Sequence, residues 1–494
     1  GEIDPRFAAV AEAVEADLRR SLATGAQVAV WVDDEVIYVG GFGDADPTVE
    51  DVVPVTEDTL FMIGSDTKKM ASIAALSLVD DGVLSLDDTV GSVLTELDMP
   101  RASPFLDATL HELLSHQGGL VDWVDWSSAT TDDELASVAH GRFARQAYTM
   151  STPGAFWNYS NPNFSIAGLL DETASGTPWA DGVMDRVIVP LGMTHTVARK
   201  ADITGPVALG TGTSGFSSTI GPVSLEDTWE SAFVRPAGLV WSTASDQMRL
   251  AEFLVDGNTD VLSPESHTAL ISPQVALYPD LPGEYAYGLM VDRGFSLTND
   301  DYDAPIWRHG GNTTTHTSTF YVLPEQRFAI SILSNGYGDD FTRTVVAAIE
   351  TLVDLPEPSD LPPPDPADPE IMALLLGTYQ DPNNVGEVVV TMGEVGLEVS
   401  MPDLDDAGID YDSELASITS QVWLAIVEDT AYDISFYLSD DGGAWMANRA
   451  FVARRAPEAM AGPPAPSARS AESLRELFRT PSLGPSALSP LRSR

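Results

Sequence analysis

Between positions 4 and 24 apolar residues recur at helical spacing. Phe7, Val10, Val14, Leu18 and Leu22 share one side there and predict an amphipathic helix. The period then changes. Gln27 to Val32 and Val36 to Gly41 read as strands joined by Asp33-Asp34-Glu35, a hairpin. From Ser65 to about Ser245 helical patterns alternate with long loops. Strand patterns return at Tyr287 to Arg293, then at Thr317 to Leu323 and Phe328 to Asn335 around Pro324-Glu325-Gln326. Thr342 to Leu352 reads as a closing helix.

Strands from both ends of this stretch can share one sheet only if the chain returns to it. The helical middle is then expected to form its own lobe, with a cleft between lobe and sheet as the place for a site. The Pro- and Asp-rich run Pro356 to Pro366 predicts a stiff, extended linker. Beyond it, strand patterns at Glu387 to Met392, Gly396 to Met401, Gln421 to Val427, Asp433 to Leu438 and Ala444 to Val452 predict a small antiparallel β-barrel or sandwich. The expected organisation is residues 1–355, a linker over 356–369, a β unit over 370–455, and a tail over 456–494 rich in Pro, Ala, Ser and Arg and without fixed structure. The fold class is α+β, an antiparallel sheet flanked by helices plus a helical lobe, followed by an all-β barrel.

Composition narrows the function. Asp and Glu outnumber Lys and Arg by 75 to 25 in 494 residues, for a net charge of −50. Such a chain has nothing with which to neutralise a row of phosphates, so nucleic acid is excluded as a partner. A solvated acidic surface suited to saline surroundings is the reading of the charge. No apolar run is long enough to span a bilayer. There is no cysteine, so no disulfide framework exists and the redox compartment is not legible. The first residue is Gly and no signal-like segment follows, consistent with a processed form of a secreted or periplasmic protein. Oligomeric state is not legible.

Against this background the lysines stand out, for there are only three, Lys68, Lys69 and Lys200. A helix opening at Ser65 would put Ser65 and Lys68 one turn apart on the same face, a hydroxyl beside an amine. Alone, Ser-x-x-Lys is a common tetrapeptide. Two further segments accompany it. One is Pro153-Gly154-Ala155-Phe156-Trp157-Asn158-Tyr159-Ser160-Asn161, a turn leading to Tyr-x-Asn. The other is Trp307-Arg308-His309-Gly310-Gly311-Asn312, at the entry to the strand hairpin. Read singly, the first is a helix-capping turn and the second a strand bulge.

Together the three motifs, in this order, resemble the serine β-lactamase and penicillin-binding-protein superfamily. The likeness is to its class C-like branch with a His-x-Gly third motif, which includes D-aminopeptidase-like and esterase-like members, some with a C-terminal lipocalin-like barrel. The segments Leu113 to Leu120 and Arg235-Pro236-Ala237-Gly238-Leu239 add to it, and the likeness covers about residues 5 to 352. The resemblance implies that Ser65 is the nucleophile of an acyl-enzyme and that the backbone N–H groups of Ser65 and Asn312 form the oxyanion hole. Lys68 would hold Tyr159 in a depressed, basic state, and Tyr159 would relay the proton. Asn161 would orient the substrate amide or Lys68, and Gly310 and Gly311 would let the substrate backbone lie against the strand. His309 stands where many lactamases carry lysine, so the grip on a substrate carboxylate should be weaker and pH-dependent. This moves the expectation from β-lactams toward peptides, amides and esters.

The other candidates carry less. His116 reads as a hydrogen-bonded loop anchor, and His111, His140, His195, His267 and His316 show no metal-ligand spacing. Trp123, Trp126 and Trp157 flank the expected cleft, where they line it or pack the core. Asp403 to Glu414 matches a calcium loop at four positions, but Ala407 stands where a ligand is needed. No cofactor or metal is expected. The expected function is serine hydrolysis of a small peptide or amide, with a carboxylesterase or weak β-lactamase as the alternative. A non-catalytic ligand sensor is the reading from another class, and a regulatory C-terminal unit that inserts a loop into the cleft is a further one.

Overall fold

The computed structural model describes residues 6–97, 99, 103–123, 130–214, 219–297, 300–337, 341–360, 367–439, 442–455, 474 and 492–493. Helix α1 (Phe7–Leu18) precedes the hairpin of β1 (Gly25–Val32) and β2 (Glu35–Gly43). The helix stops short of the predicted Leu22, which is exposed. The Ser21 hydroxyl bonds to the Leu18 carbonyl and accepts from Ala23 N–H, so the serine ends the helix in a turn of its own. The hairpin turn runs through Asp33 and Asp34, both at positive φ, the pair of conformations that a two-residue turn between twisted strands requires.

Strands β3 (Val275–Ala276), β4 (Glu284–Tyr285), β5 (Met290–Asp292), β6 (Ile306–Asn312), β7 (Thr317–Leu323) and β8 (Phe328–Ser334) complete one antiparallel sheet in the order β2-β1-β8-β7-β6-β5-β4-β3. The chain therefore returns to its first strands, with β1 paired to β8 from Ala26↔Ser334 to Val32↔Phe328. Both faces of this pair are buried, and the two-residue period sorts the side chains. Ala26, Val28, Val30, Phe328, Ile330 and Ile332 pack with α1 and with α4 (Thr342–Leu352). Ala29, Trp31, Ala329 and Leu333 face the other way, into the large core of the helical lobe. That lobe holds α2 (Thr67–Asp80) and α3 (Asn161–Ser175), whose buried faces meet.

The C-terminal part is an eight-stranded antiparallel barrel, nearly closed. Its strands are β9 (Gly377–Asp381), β10 (Gly386–Met392), β11 (Leu397–Ser400), β12 (Ala416–Ser417), β13 (Val422–Val427), β14 (Thr430–Leu438), β15 (Ala444–Asn448) and β16 (Phe451–Arg455). They follow the order β11-β10-β9-β16-β15-β14-β13-β12, and bonds from Val399 N to Ser413 O and Leu415 N to Leu397 O draw the two ends together. The interior has its own apolar core, including Tyr379, Trp423, Phe436 and Met446. The single strand predicted over Ala444 to Val452 is in fact a hairpin. Asn448 pairs with Phe451 across a turn at Arg449 and Ala450, and the Asn448 side chain accepts from Ala450 N–H. The calcium-loop match at Asp403 folds otherwise: Pro402–Ala407 is a short helix closed by Gly408 at φ 64°. Of the tail, Leu474 is buried against the barrel core and Arg492–Ser493 pairs with Phe295 and Ser296, so those two pieces are fixed where no structure was expected. Arg475 and Arg479, like Trp126, lie outside the described residues.

The barrel packs on the body close to Tyr159. Phe156, three residues before Tyr159, stacks on Tyr437 at 4.3 Å between ring centroids and meets Trp445 edge-on. Val422 joins Leu277, Tyr278, Tyr285 and Met290 in a shared apolar cluster. The Tyr278 hydroxyl donates to Asp433. The body and the barrel thus share apolar cores as well as polar contacts.

Candidate active site

Ser65 sits in a turn of 3-10 helix, Gly64–Asp66, that leads into α2. Gly64 has φ +54°, and a side chain there would meet the backbone of Gly311 and Asn312 at about 2.8 Å. The turn is therefore tight because β6 lies directly on it. Gly311 answers from the other side: a Cβ at Gly311 would stand 2.1 Å from the Ile63 carbonyl oxygen and 2.6 Å from Ser65 N. The glycine was expected to leave room for substrate, yet the protein's own backbone fills that space. β5 pairs with Ile306 to Arg308 only, so the stretch from His309 to Asn312 runs on past the end of β5, beside the nucleophile. Gly311→Ala must push backbone against backbone, and displacements near 1 Å at a reacting centre cost about 10²-fold in rate. We expect kcat to fall by about that factor, with the urea midpoint far less affected than activity.

Lys68 is buried and has three neighbours. Its Nζ lies 3.0 Å from Ser65 Oγ, 2.8 Å from Asn161 Oδ1 and 2.7 Å from the Ala237 carbonyl oxygen. The last comes from the Arg235 to Leu239 segment, which thus supplies a direct partner of the lysine. Burial, and then the field of Arg449, pushes the Lys68 pKa well below its ordinary value. Of the three neighbours, the amide oxygen and the carbonyl can only accept, while the Ser65 hydroxyl can also donate. An ammonium would give one N–H to each of the three, whereas a neutral amine would give two N–H bonds to the acceptors and turn its lone pair to the hydroxyl; burial, which lowers the pKa, favours the second.

Tyr159 lies at the entry to α3, with its ring 4.8 Å from Lys68 Nζ. Its hydroxyl is buried and closes no hydrogen bond of ordinary length, although Ser65 is near enough to draw its pKa down. Burial dominates and raises the pKa above that of free tyrosine; the Arg449 field and Ser65 offset only part of this. The expected depressed tyrosinate is therefore not what this environment gives, because the ring is desolvated more than its neighbours compensate.

His309 was expected to act as a weak, titrating cation. Both its nitrogens are engaged inward, Nδ1 at 2.7 Å from Gly310 O and Nε2 at 3.3 Å from the Tyr285 hydroxyl. Burial, with Lys68 and Lys69 nearby, keeps its pKa well below the usual range. This environment favours the neutral imidazole over the titrating cation that was expected. His116 is the anchor that was expected. It sits at φ 58° with its carbonyl accepting from Asn158 N–H and its Nδ1 accepting from Ser160 N–H, and it packs on Tyr159 at 4.2 Å between ring centres. Trp157 packs against His116, Tyr159 and Tyr285, while Trp123 packs against Phe143 and Phe233 in the lobe core. Lys69 is committed elsewhere, paired with buried Asp66 at 2.9 Å. Its pKa is lowered to about 8, burial outweighing the carboxylate.

Two residues that drew no notice in the sequence complete the constellation. Asp122 accepts from Asn161 N–H at 2.8 Å through one oxygen and from Arg449 Nε at 2.8 Å through the other. Arg449, from the β15–β16 turn of the barrel, lies over the Tyr159 ring with its guanidinium carbon 4.5 Å from the centroid. The polar pair Asn448-Arg449 in the middle of an apolar run was the one signal of a turn there, and nothing local tied it to a site more than 280 residues away. No group of side chains suited to holding a metal occurs among the described residues.

The Beta-lactamase family profile matches residues 10–353. Penicillin-binding protein 4 of Amycolatopsis lactamdurans is 28% identical over 342 residues, 66% of this chain and 86% of that protein. The crystal structure of SurE, also solved with D-Leu, aligns at a TM-score of 0.66 and 23% identity over 91% of this chain and 99% of that one. A D-stereospecific amidohydrolase from Streptomyces sp. aligns at 0.57 and 23% identity over 69% of this chain and 98% of that one. The two structures share the fold, and the family profile spans well over half of the sequence, including Ser65, Lys68, Tyr159 and His309-Gly310-Gly311. The chain belongs to the β-lactamase family.

Proposed function

We propose that the protein is a serine hydrolase that forms an acyl-enzyme on Ser65 and acts on short peptides or amides, with D-configured residues favoured. The observation that carries this reading is the Lys68 amine, 3.0 Å from Ser65 Oγ with its two other neighbours able only to accept. In the first step the Ser65 hydroxyl proton passes to Nζ as Oγ bonds to the substrate carbonyl carbon. The resulting oxyanion is held by backbone N–H groups of Ser65 and Asn312. Tyr159, protonated and next to both, passes a proton from the ammonium to the departing amine or alcohol as the carbonyl–leaving-group bond breaks. Water then releases the acyl group by the same path in reverse. Asn161 acts on Lys68, holding the amine by its side-chain oxygen. The preference for D-residues draws on what the D-stereospecific amidohydrolase and the D-Leu complex of SurE are named for. Residues 1–355 form the hydrolase unit, 356–369 a linker and 370–455 the barrel, in an extracytoplasmic setting.

A panel of p-nitrophenyl esters, nitrocefin, and L- and D-amino acid anilides tests this. Turnover of D-anilides and esters above nitrocefin is expected. A stoichiometric fluorophosphonate adduct on Ser65 with no turnover of any substrate would instead make the protein a ligand sensor.

A further inference from the structure

The proposed site has a nucleophile, a base and an oxyanion hole, but among the described residues the body of the protein gives it no uncommitted cation. Lys68 is occupied by three partners, Lys69 is paired with Asp66, Arg308 is paired with Asp292 at 3.1 Å, and His309 is neutral. The cation comes from the barrel. Arg449 reaches across to the ring of Tyr159 and to Asp122, and it is 12% exposed. Its guanidinium closes one hydrogen bond, from Nε to Asp122 Oδ2; Nη2 forms an ion pair with the same oxygen at 2.6 Å without closing a hydrogen bond, and Nη1 is buried with no hydrogen-bond partner in the protein. A charged donor that the protein itself leaves buried and unpaired costs more than an ordinary missed hydrogen bond, so this side of the fork is open to an outside acceptor.

We propose that Arg449 is the residue that recognises a substrate carboxylate at the Ser65 site, with Asp122 as its counterion within the protein. This rests on the hydrolase reading above and narrows its substrates to those with a free carboxylate near the scissile bond. The guanidinium offers a planar fork of donors, which matches the two oxygens of a carboxylate better than a point charge does. Asp122 is held by Asn161 N–H at the start of α3, so it fixes the near side of the fork and leaves the far donors for the ligand. The same cation lowers the pKa of Lys68, so the recognition group and the base are coupled through one residue. The site is then incomplete without the barrel, and this gives residues 370–455 a role in specificity.

The alternative is that Arg449 and Asp122 merely latch the barrel to the body. Binding separates the two, and it needs no turnover. In full-length protein with Ser65→Ala, N-acetyl-alanine in its D and L forms is titrated calorimetrically against the matching carboxamides. The acid of the preferred enantiomer is expected to bind about 10-fold or more tighter than its amide, as befits a desolvated charge pair. Arg449→Gln is expected to shrink that ratio to within about 3-fold, Arg449→Lys to keep part of it, and Asp122→Asn to keep or raise it. A latch would instead weaken acid and amide alike in Arg449→Gln and Asp122→Asn, with a matching loss in urea midpoint. Equal binding of acid and amide, including no binding of either, overturns the proposal, as does an unchanged ratio in Arg449→Gln. Fluorophosphonate labelling of Ser65 in the wild type is scored separately. Labelling with an unchanged ratio leaves the hydrolase and removes Arg449, whereas a ratio that follows Arg449 without labelling keeps the carboxylate site and removes the hydrolase.

Discussion

Ser65→Ala is expected to lower kcat by about 10⁴-fold or more while the protein stays folded, because removing the nucleophile of such a constellation disables the whole unit. The stability side follows from the geometry. Ser65 Oγ is hydrogen-bonded to Lys68 Nζ, and the amine keeps both Asn161 Oδ1 and the Ala237 carbonyl when the hydroxyl is gone. Loss of a hydrogen bond of this kind costs about 1 kcal/mol, a small part of the stability of a domain with a core this large. The measurement pairs turnover of the best ester or anilide with intact mass after fluorophosphonate treatment. The wild type should gain one adduct and Ser65→Ala none, with urea midpoints close together. Turnover by Ser65→Ala at the wild-type rate would end the acyl-enzyme mechanism.

What the sequence disclosed follows the range of the forces involved. Strand and helix periods are local, and they located β1, β2, β7, β8 and α4 to within a few residues. The three motifs are also local: the side chains of the first two meet, with Lys68 touching both Ser65 and Asn161 although the latter is 93 residues away, while the third comes close through the backbone of Gly311. What was not legible depends on desolvation and on contacts between distant parts. Tyr159 and His309 look titratable in a sequence, yet burial settles both as neutral groups. Gly311 looks like room for substrate, yet the turn at Ile63 to Ser65 occupies it. Arg449 sits inside an apolar run that reads as one strand, and only the hairpin reversal at Asn448 aims it at Asp122.

Lys68→Arg distinguishes a base from a charge. If the lysine served the site only as a cation near Ser65, arginine would retain most of the rate, since its charge persists at every accessible pH. If the lysine is the group that takes the Ser65 proton, arginine cannot do so, and kcat/KM should drop by about 10³-fold or more, close to the loss in Lys68→Ala. The second outcome is expected, because burial and then Arg449 favour the neutral amine and Nζ lies within hydrogen-bond reach of the Ser65 hydroxyl. The pH profile carries the same argument with a definite sign. Activity requires the unprotonated amine, so kcat/KM rises with pH through the Lys68 pKa and is flat above it. Burial and Arg449 both lower that pKa, so the rise should fall well below the ordinary lysine range rather than near 10.4. Replacing Arg449 by Gln removes one of the two lowering influences and leaves Asp122, which favours the ammonium; the rise should therefore move to higher pH. A tyrosinate base would behave otherwise. Burial raises Tyr159, so the rise would lie above pH 10, and the loss of Arg449 would raise it further. A profile still climbing above pH 10, together with an active Lys68→Arg, would transfer the role of base from Lys68 to Tyr159.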